Sequence, residues 1–439
     1  MDKERLVKAV ADAGVVGAGG GGFPAAVKLS ADFEHYIANG AECEPLLHKD
    51  IELMSRYPEQ IAEGLAMVRD LAGAQAAYFA SKEKYAAIWE RINPYLDKYN
   101  IVPKFLEDIY PAGDEFEVVW RVLGRAIPPG EIPLAVGAAV NNVETIYNIR
   151  RALDGEPVIT KFLTVTGEVE RPFTAPVPIG VEFSELIEFA KPKIADFVVI
   201  EGGPMMGKIV PPDEVVKKTT AGILILPPEH RLVRHRTMPI EYAVRIAASA
   251  CMQCQSCTDL CPRHLLGHPI EPHKIMRSMA MPLSMPVEWM TAAMLCSECG
   301  VCEQFACPMG LSPRKINAEL KRKFRENGVK FQPPGGETVP MPEREFRKIP
   351  SARLAERLGI LDYYHIHPEF IPALPEPERV KLVLRQGAGA PSVPVVKVGD
   401  RVQKGQLVAS SPKNSIGANI HSPIDGTVAS TVDAIIIEK

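Results

Sequence analysis

Cys251-Met252-Gln253-Cys254-Gln255-Ser256-Cys257-Thr258-Asp259-Leu260-Cys261-Pro262 and Cys296-Ser297-Glu298-Cys299-Gly300-Val301-Cys302-Glu303-Gln304-Phe305-Ala306-Cys307-Pro308 are two copies of one pattern. Each opens with Cys-x-x-Cys-x-x-Cys and closes on a more distant Cys-Pro, the second copy with one extra residue before its last cysteine. Eight of the nine cysteines lie in these copies. Three thiolates two residues apart on a tight turn face three corners of a cube, and the fourth corner needs a reach from elsewhere; that is the ligand demand of a 4Fe-4S cluster. Zinc ribbons also use paired Cys-x-x-Cys, but not two triplets each closed by Cys-Pro. Disulfides need an oxidising compartment, and nothing in the sequence suggests export. Two 4Fe-4S clusters are the expected occupants.

The spacing resembles that of two-cluster bacterial ferredoxins, in which the last cysteine of each run serves the other cluster. The resemblance implies crossed ligand sets: Cys251, Cys254, Cys257 and Cys307 on one cluster, and Cys296, Cys299, Cys302 and Cys261 on the other. Met276, Met279, Met281 and Met285, between the copies, are expected to pack around the clusters and keep water away. His264, His268 and His273 read as surface or capping residues rather than metal ligands.

At 439 residues the chain is too long for one core and is expected to hold about three domains. A hydrophobic content of 46% with 24% charged residues is that of a soluble globular protein. A net charge of −4 without a Lys/Arg run gives no reason to expect nucleic acid as a partner. No apolar stretch approaches the roughly 18 residues of a membrane span. The opening Met-Asp-Lys-Glu-Arg lacks the apolar core of a signal peptide, so the expected location is the cytoplasm, whose reducing thiol pool suits cluster thiolates. The 40 prolines concentrate in connecting segments, as in domains joined by stiff linkers.

From the N-terminus, residues 1–13 read as a helix with Leu6 and Val10 on one face. Gly14-Val15-Val16-Gly17-Ala18-Gly19-Gly20-Gly21-Gly22-Phe23-Pro24 follows, with Lys28 beyond it. Four consecutive glycines let backbone N–H groups close on a phosphate, and the next helix adds its positive end. The loop follows a helix and lacks Gly-Lys-Ser/Thr, so it is neither the usual dinucleotide fingerprint nor a P-loop. Tyr36-Ile37-Ala38 reads as a buried strand ending in Asn39-Gly40-Ala41-Glu42-Cys43-Glu44-Pro45, whose polar groups suit contacts to a ring and ribityl chain. Cys43 reads as a small buried thiol. Residues 50–70 are expected as one amphipathic helix and 72–105 as strand, helix, strand. Tyr110-Pro111-Ala112-Gly113-Asp114-Glu115, Pro128-Pro129-Gly130 and Val140-Asn141-Asn142-Val143-Glu144-Thr145 come next, the Asn pair suited to capping a helix.

Taken together, in this order, these motifs resemble the flavin-binding subunit of respiratory complex I and, more closely, the Rnf complex C-subunit family. The shared series is Gly-Gly-x-Gly-Phe-Pro, Asn-Gly-Ala-Glu-Cys-Glu-Pro and Asn-Asn-Val-Glu-Thr. The resemblance implies FMN held by Gly17, Gly19, Gly20, Lys28, Asn39, Glu42, Gly113, Asp114, Asn141, Asn142 and Thr145. It places Phe23 and Glu44 near the nicotinamide dinucleotide and Tyr110 near the flavin. Ala18 stands where complex I has an arginine inside its glycine loop, a departure that bears on NADH affinity.

Residues 151–240 form a second unit, with a strand at Phe162–Gly167, Ser184 capping a helix Glu185–Phe189, strands at Phe197–Ile200 and Ile223–Leu226, and a tight turn at Gly202–Gly207. The unit resembles the soluble-ligand-binding β-grasp (SLBB) domain of the same family and reads as a spacer docking flavin and cluster domains. Glu241–Ala250 is a helix delivering Cys251, 313–327 a charged helix, and 330–350 a proline-rich connector. The last unit resembles the barrel-sandwich fold of biotinyl and lipoyl carriers but has no lysine in a matching motif, so no swinging cofactor is expected. In the Rnf subunit this module is N-terminal; here it closes the chain. That order resembles the cobalamin reductases of propanediol-utilisation microcompartments (PduS type).

The expected fold is therefore multidomain, α/β and α+β. It comprises a complex I flavin-subunit-like α/β domain for FMN and NADH at 1–150, the β-grasp domain at 151–240 and a ferredoxin-like helical double-cluster domain at 241–330. A linker at 331–378 leads to a barrel-sandwich hybrid at 379–439. The implied activity is NADH-dependent reduction of cob(III)alamin or cob(II)alamin through FMN and the clusters, with no catalytic acid or base from the protein. The implied partners are NADH, cobalamin or a redox protein, a cobalamin adenosyltransferase and a shell protein of a bacterial microcompartment. The alternatives are an Rnf-like subunit, a soluble carrier between NADH and another reductase, and a non-enzymatic cluster scaffold.

Overall fold

The computed structural model describes residues 2–280, 284–333, 335–412 and 415–439; Met281 lies outside them. The first sheet is built from β1 (His35–Gly40), β2 (Ala76–Lys82), β3 (Val102–Leu106) and β4 (Ala138–Asn142), all parallel, in the order β3-β2-β1-β4. Helices cover both faces, so the middles of β1 and β4 are buried: Tyr36, Ile37 and Ala38 pair with Ala139, Val140 and Asn141. Strand order reverses between β1 and β4. In parallel sheets the crevice at such a reversal, beyond the carboxyl ends of the strands, is where ligands bind. Asn39 and Asn142 stand opposite one another at that crevice.

The stretch expected as one helix over 50–70 is two, Lys49–Arg56 and Pro58–Ala72. Pro58 has no N–H to give the first helix and pushes Tyr57 out of helical geometry, yet it suits the first turn of the second.

The second sheet contains β5 (Thr160–Gly167), β6 (Phe173–Pro178), β7 (Val198–Glu201), β8 (Lys208–Val210), β9 (Gly222–Leu226) and β10 (Glu369–Phe370), in the order β10-β6-β5-β9-β7-β8. β5 and β6 form a hairpin, and β9 lies parallel to β5 at the centre. Ser184 does not cap the intervening helix, which already starts at Phe183; the Phe183 amide donates instead to the Glu214 carbonyl at 2.8 Å.

Residues 331–378 are more than a linker. They contain the helix Ser351–Leu358, and β10 extends the second sheet beside β6. Ile349, Leu354, Leu358 and Ile360 are buried in one core with Tyr110, Leu224 and Val301. Each buried Leu or Ile contributes about 1.5–3 kcal/mol, so this segment is part of the fold.

Short helices surround the cysteine motifs: Ile240–Ala250, Ser256–Asp259, Pro262–Leu265, Pro272–Ala280 and Pro313–Glu326. The C-terminal unit has two small sheets. One orders β11 (Arg379–Val383), β17 (Ala434–Glu438), β16 (Gly426–Ser430) and β13 (Arg401–Val402); the other orders β12 (Val393–Pro394), β14 (Leu407–Ser410) and β15 (Ile420–His421). Among the described residues no helix is long and apolar enough to cross a membrane.

Candidate redox site

The glycine loop folds back on itself. The Gly17 amide donates to the Phe23 carbonyl at 2.9 Å and the Gly22 amide to the Gly17 carbonyl at 3.1 Å. The loop then lies on the start of the helix Val143–Leu153: the Ala18 amide donates to Thr145 Oγ1 at 2.9 Å, and a side chain at Gly19 would meet Asn142 Cβ at 3.3 Å. Gly20 and Gly21 face open space, a cradle that side chains would fill. Beneath the loop runs a buried charge network. Lys161 contacts Glu144 and donates to the Ala18 carbonyl at 3.2 Å, while Lys49 joins Glu144 to Asp50. Glu144 lies in the Asn-Asn-Val-Glu-Thr motif, but its partners Lys49 and Lys161 are distant in the chain and lie in no motif.

The polar residues of the crevice are held by the protein itself. Asn39 donates to the Gly113 carbonyl at 2.8 Å, Asn141 to the Tyr36 hydroxyl at 2.9 Å and Asn142 to Asp50 at 2.7 Å. Asn142 also caps its helix, accepting from the Glu144 amide. Lys28 donates to the Val140 carbonyl at 2.6 Å and pairs with Glu115. Glu42, with φ of 36°, accepts from the Asp50 amide at 2.7 Å; burial, with Asp50 adding to it, pushes its carboxyl up to about 8. Cys43 packs against Gly113, and burial pushes its thiol up to about 12. Phe23 is 39% exposed at the loop's end. With its open glycines, helix start and lysine, the crevice fits a phosphate-bearing flavin.

Three residues assigned to this site by resemblance turn to other partners. Glu44 accepts from the Met205 and Met206 amides at 3.0 and 2.7 Å, so it holds the Gly202–Gly207 turn. Tyr110 donates its hydroxyl to the Cys299 carbonyl at 2.7 Å. Asp114 pairs with Arg263 at 2.8 Å, and the Arg263 guanidinium stacks on Phe116. Tyr110 and Arg263 thus tie the first domain directly to the cysteine motifs. Arg263 carried no sequence signal beyond its place after Cys261-Pro262.

The cysteines gather into two cavities. One is lined by Cys251, Cys254, Cys257 and Cys307, the other by Cys261, Cys296, Cys299 and Cys302. These are the crossed sets that the ferredoxin spacing implies. Both motifs turn alike: Gln253 and Gln255 have positive φ, as do the equivalent Glu298 and Gly300, which swings each triplet inward. Among the described residues no three His, Cys, Asp or Glu side chains converge tightly enough for a lone metal ion. Four cysteines in each cavity match the ligand number of a cube of iron and sulfide. Burial pushes the Cys257 and Cys299 thiols up to about 12 and about 11, a cost that the positive charge of iron offsets. The Glu298 amide donates to Cys296 Sγ at 3.3 Å and the Leu311 amide to Cys307 Sγ at 3.4 Å, contacts of the kind that tune cluster potential. The Cys251 set opens to solvent at Cys254, whereas Cys261 and Cys302 are buried.

Met276 is buried at the Cys251 cavity, with Met279 partly buried in the same core and Met285 half-buried. His268 and His273 are buried rather than at the surface: His268 meets the Ile127 carbonyl at 2.9 Å and His273 the Thr258 hydroxyl at 2.7 Å. His264 is half-buried.

Three family models match the chain: the Nuo51 FMN-binding domain at 10–151, the 4Fe-4S dicluster domain at 250–312 and the RnfC barrel sandwich hybrid domain at 366–438. The chain is 40% identical over 438 residues to the cobalamin reductase PduS of Citrobacter freundii, covering 99% of this chain and 96% of that protein. The chain belongs to the PduS family. The PduS of Salmonella typhimurium is likewise 40% identical, over 439 residues, with the same shares of the two chains covered. The Na+-translocating ferredoxin:NAD+ oxidoreductase complex of Acetobacterium woodii has a C-subunit 32% identical over 275 residues, 60% of this PduS-family chain and 59% of that protein. Among solved structures, an NAD+-reducing NiFe hydrogenase in the H2-reduced state superposes with a TM-score of 0.52 at 21% identity. It covers 75% of this chain and 64% of the hydrogenase chain, a likeness of fold alone.

Proposed function

We propose that this chain is an NADH-dependent oxidoreductase that reduces cobalamin, with FMN in the glycine-loop crevice and one 4Fe-4S cluster in each cysteine cavity. The full-length likeness to two cobalamin reductases supports the acceptor. The observation that carries the relay is the Tyr110 bond to the Cys299 carbonyl, which joins the crevice domain to a cluster ligand without an intervening domain. Bound FMN supplies two-electron exchange with a hydride donor and 4Fe-4S clusters supply one-electron transfer, so together they feed an acceptor singly.

The chain's own residues bind and orient. The amides of Gly20 and Gly21, the helix start at Asn142 and the Lys28 amine suit the FMN phosphate. Gly17, Gly19, Asn39, Glu42, Gly113, Asn141 and Thr145 frame the rest of that site, and exposed Phe23 suits the nicotinamide side. Asp114 and Glu44 act one layer out, by fixing Arg263 and the Gly202–Gly207 turn.

The middle sheet is read as a β-grasp domain of SLBB type; its opening hairpin, single crossing helix and parallel central pair support this. Its role is to wedge the flavin and cluster units together. Reduced cobalamin would pass to an adenosyltransferase, within a microcompartment whose shell the chain contacts.

Anaerobic purification with flavin and iron quantification, followed by NADH titration with hydroxocobalamin as acceptor, tests the proposal. Expected are one FMN, about eight irons and NADH-dependent loss of the cob(III)alamin spectrum. Flavin bleaching without any change in cobalamin would refute the acceptor and leave the relay standing.

A further inference from the structure

A groove of about 640 Å³ opens on the surface where the Ser351–Leu358 segment meets the cysteine motifs. Its floor includes Leu260 and Phe305. Leu260 directly precedes Cys261, and Phe305 lies between Cys302 and Cys307, so the floor adjoins ligands of both cavities. Arg231 pins the wall to the floor, donating to the Gln304 carbonyl at 2.9 Å and to the Arg357 carbonyl.

The rim is cationic on a chain whose net charge is −4. Arg347, Lys348, Arg353 and Arg357 line it against one acid, Glu356. Arg347 pairs with Asp259, and Lys348 with Glu107 and Glu345. Arg353 and Arg357 have no ion-pair partner among the described residues, and their i,i+4 spacing puts both on one helix face. Beside them Phe346 stands 88% exposed, an aromatic face kept in water. An exposed apolar ring next to two guanidiniums without ion-pair partners suits a bulky amphiphilic molecule that carries a phosphate.

The geometry points to this groove as the cobalamin site: the apolar edge of the corrin packs against Phe346 and Phe305, and the phosphodiester of the nucleotide tail meets Arg353 and Arg357. The assignment rests on the reading of the chain as a cobalamin reductase and adds where the acceptor sits. Cobalt bound there takes one electron at a time. One NADH gives up a hydride, becoming NAD+ with release of a proton, and its two electrons reduce two cob(III)alamins to cob(II)alamin.

The test is binding, measured by equilibrium dialysis on the flavin- and iron-loaded protein. Two ligands are compared: cobalamin, and cobinamide, which has the corrin ring without the phosphate. Arg353→Gln/Arg357→Gln is expected to weaken cobalamin at least about ten-fold and leave cobinamide unchanged. Phe346→Ala is expected to weaken both. Flavin and iron content measured alongside separate loss of the site from misfolding. On the unaltered protein, inorganic phosphate is expected to compete with cobalamin and not with cobinamide, a result that needs no variant. Equal cobalamin affinity in the unaltered and double-Arg proteins, with no phosphate competition, overturns the site while cobalamin reduction stands. If cobalamin neither binds nor is reduced, the reductase reading falls with it. If an acidic one-electron carrier protein binds in an Arg353- and Arg357-dependent way and cobalamin does not, the groove is a protein dock and the assignment is wrong.

Discussion

Glu42 sits at the crevice with its carboxyl pushed up to about 8, first by burial and then by Asp50. In an unfolded chain the same group titrates near the ordinary glutamate value, so between about pH 4.5 and pH 8 the folded protein holds a proton that the unfolded chain releases. Stability from this group is fully present below that window and is lost as pH rises through it. Glu42→Gln is neutral throughout. Denaturant unfolding is therefore expected to give matching stabilities near pH 4.5 and, at pH 8, a variant more stable by a few kcal/mol. A constant difference across the range would show that Glu42 is ionised at the crevice. Which residues meet was partly legible at this scale. The grouping of the cysteines into two cavities follows the ferredoxin resemblance, in which the last cysteine of each run serves the other set. The partners of Glu44, Tyr110 and Asp114 could not be read, since each lies far along the chain.

Among the elements, the Gly202–Gly207 turn joins most of the parts. Glu44 holds it from the flavin side; Arg236 donates to the Pro204 and Gly207 carbonyls, and Arg314 to the Met205 carbonyl at 3.0 Å from the cluster side. Met205 itself is fully buried, and a side chain at Gly203 would collide with the Glu44 carboxylate. Glu44→Ala leaves the buried Met205 amide without an acceptor, an expected loss of about 1–3 kcal/mol. Glu44→Gln keeps an acceptor oxygen and is expected to lose less. Thermal melts of both variants check the ranking, and equal melting temperatures would remove Glu44 as the clasp. Elements that the sequence concealed were hidden by proline. Pro58 splits one expected helix, and the prolines around 340–350 mask Ser-Ala-Arg-Leu-Ala-Glu-Arg-Leu, whose Leu354 and Leu358 repeat at helical spacing and are wholly buried.

Over the whole molecule, the C-terminal unit closes on the glycine loop. Lys218 is buried at the junction and donates to the Gly14 carbonyl at 2.6 Å and to the Asn419 carbonyl at 2.7 Å. No carboxylate among the described residues pairs with it, and burial lowers its amine to about 7. The folded state therefore sheds this proton before the unfolded chain does, and stability is expected to rise between about pH 7 and pH 10. His421 beside it is lowered to about 4 and stays neutral in that range. Lys218→Met is expected to flatten the rise, as read from denaturant midpoints at about pH 7 and about pH 9.5. A slope that survives the substitution would assign it to other groups.

At the same junction the Asn419 amide reaches the Asp12 carbonyl, and the Ala388 amide reaches the Gly22 carbonyl at 2.9 Å. The last module of the chain is thus a neighbour in space of its first two dozen residues. A gene that carried this module at the front would rebuild the same seam with the breakpoint elsewhere, given a tether long enough to run from Lys439, which sits beside Glu378, to the opening helix. Evolution is then free to shuffle it between ends at little structural cost. A colinear alignment to such a cut-and-rejoined cousin would necessarily stop short of the full length.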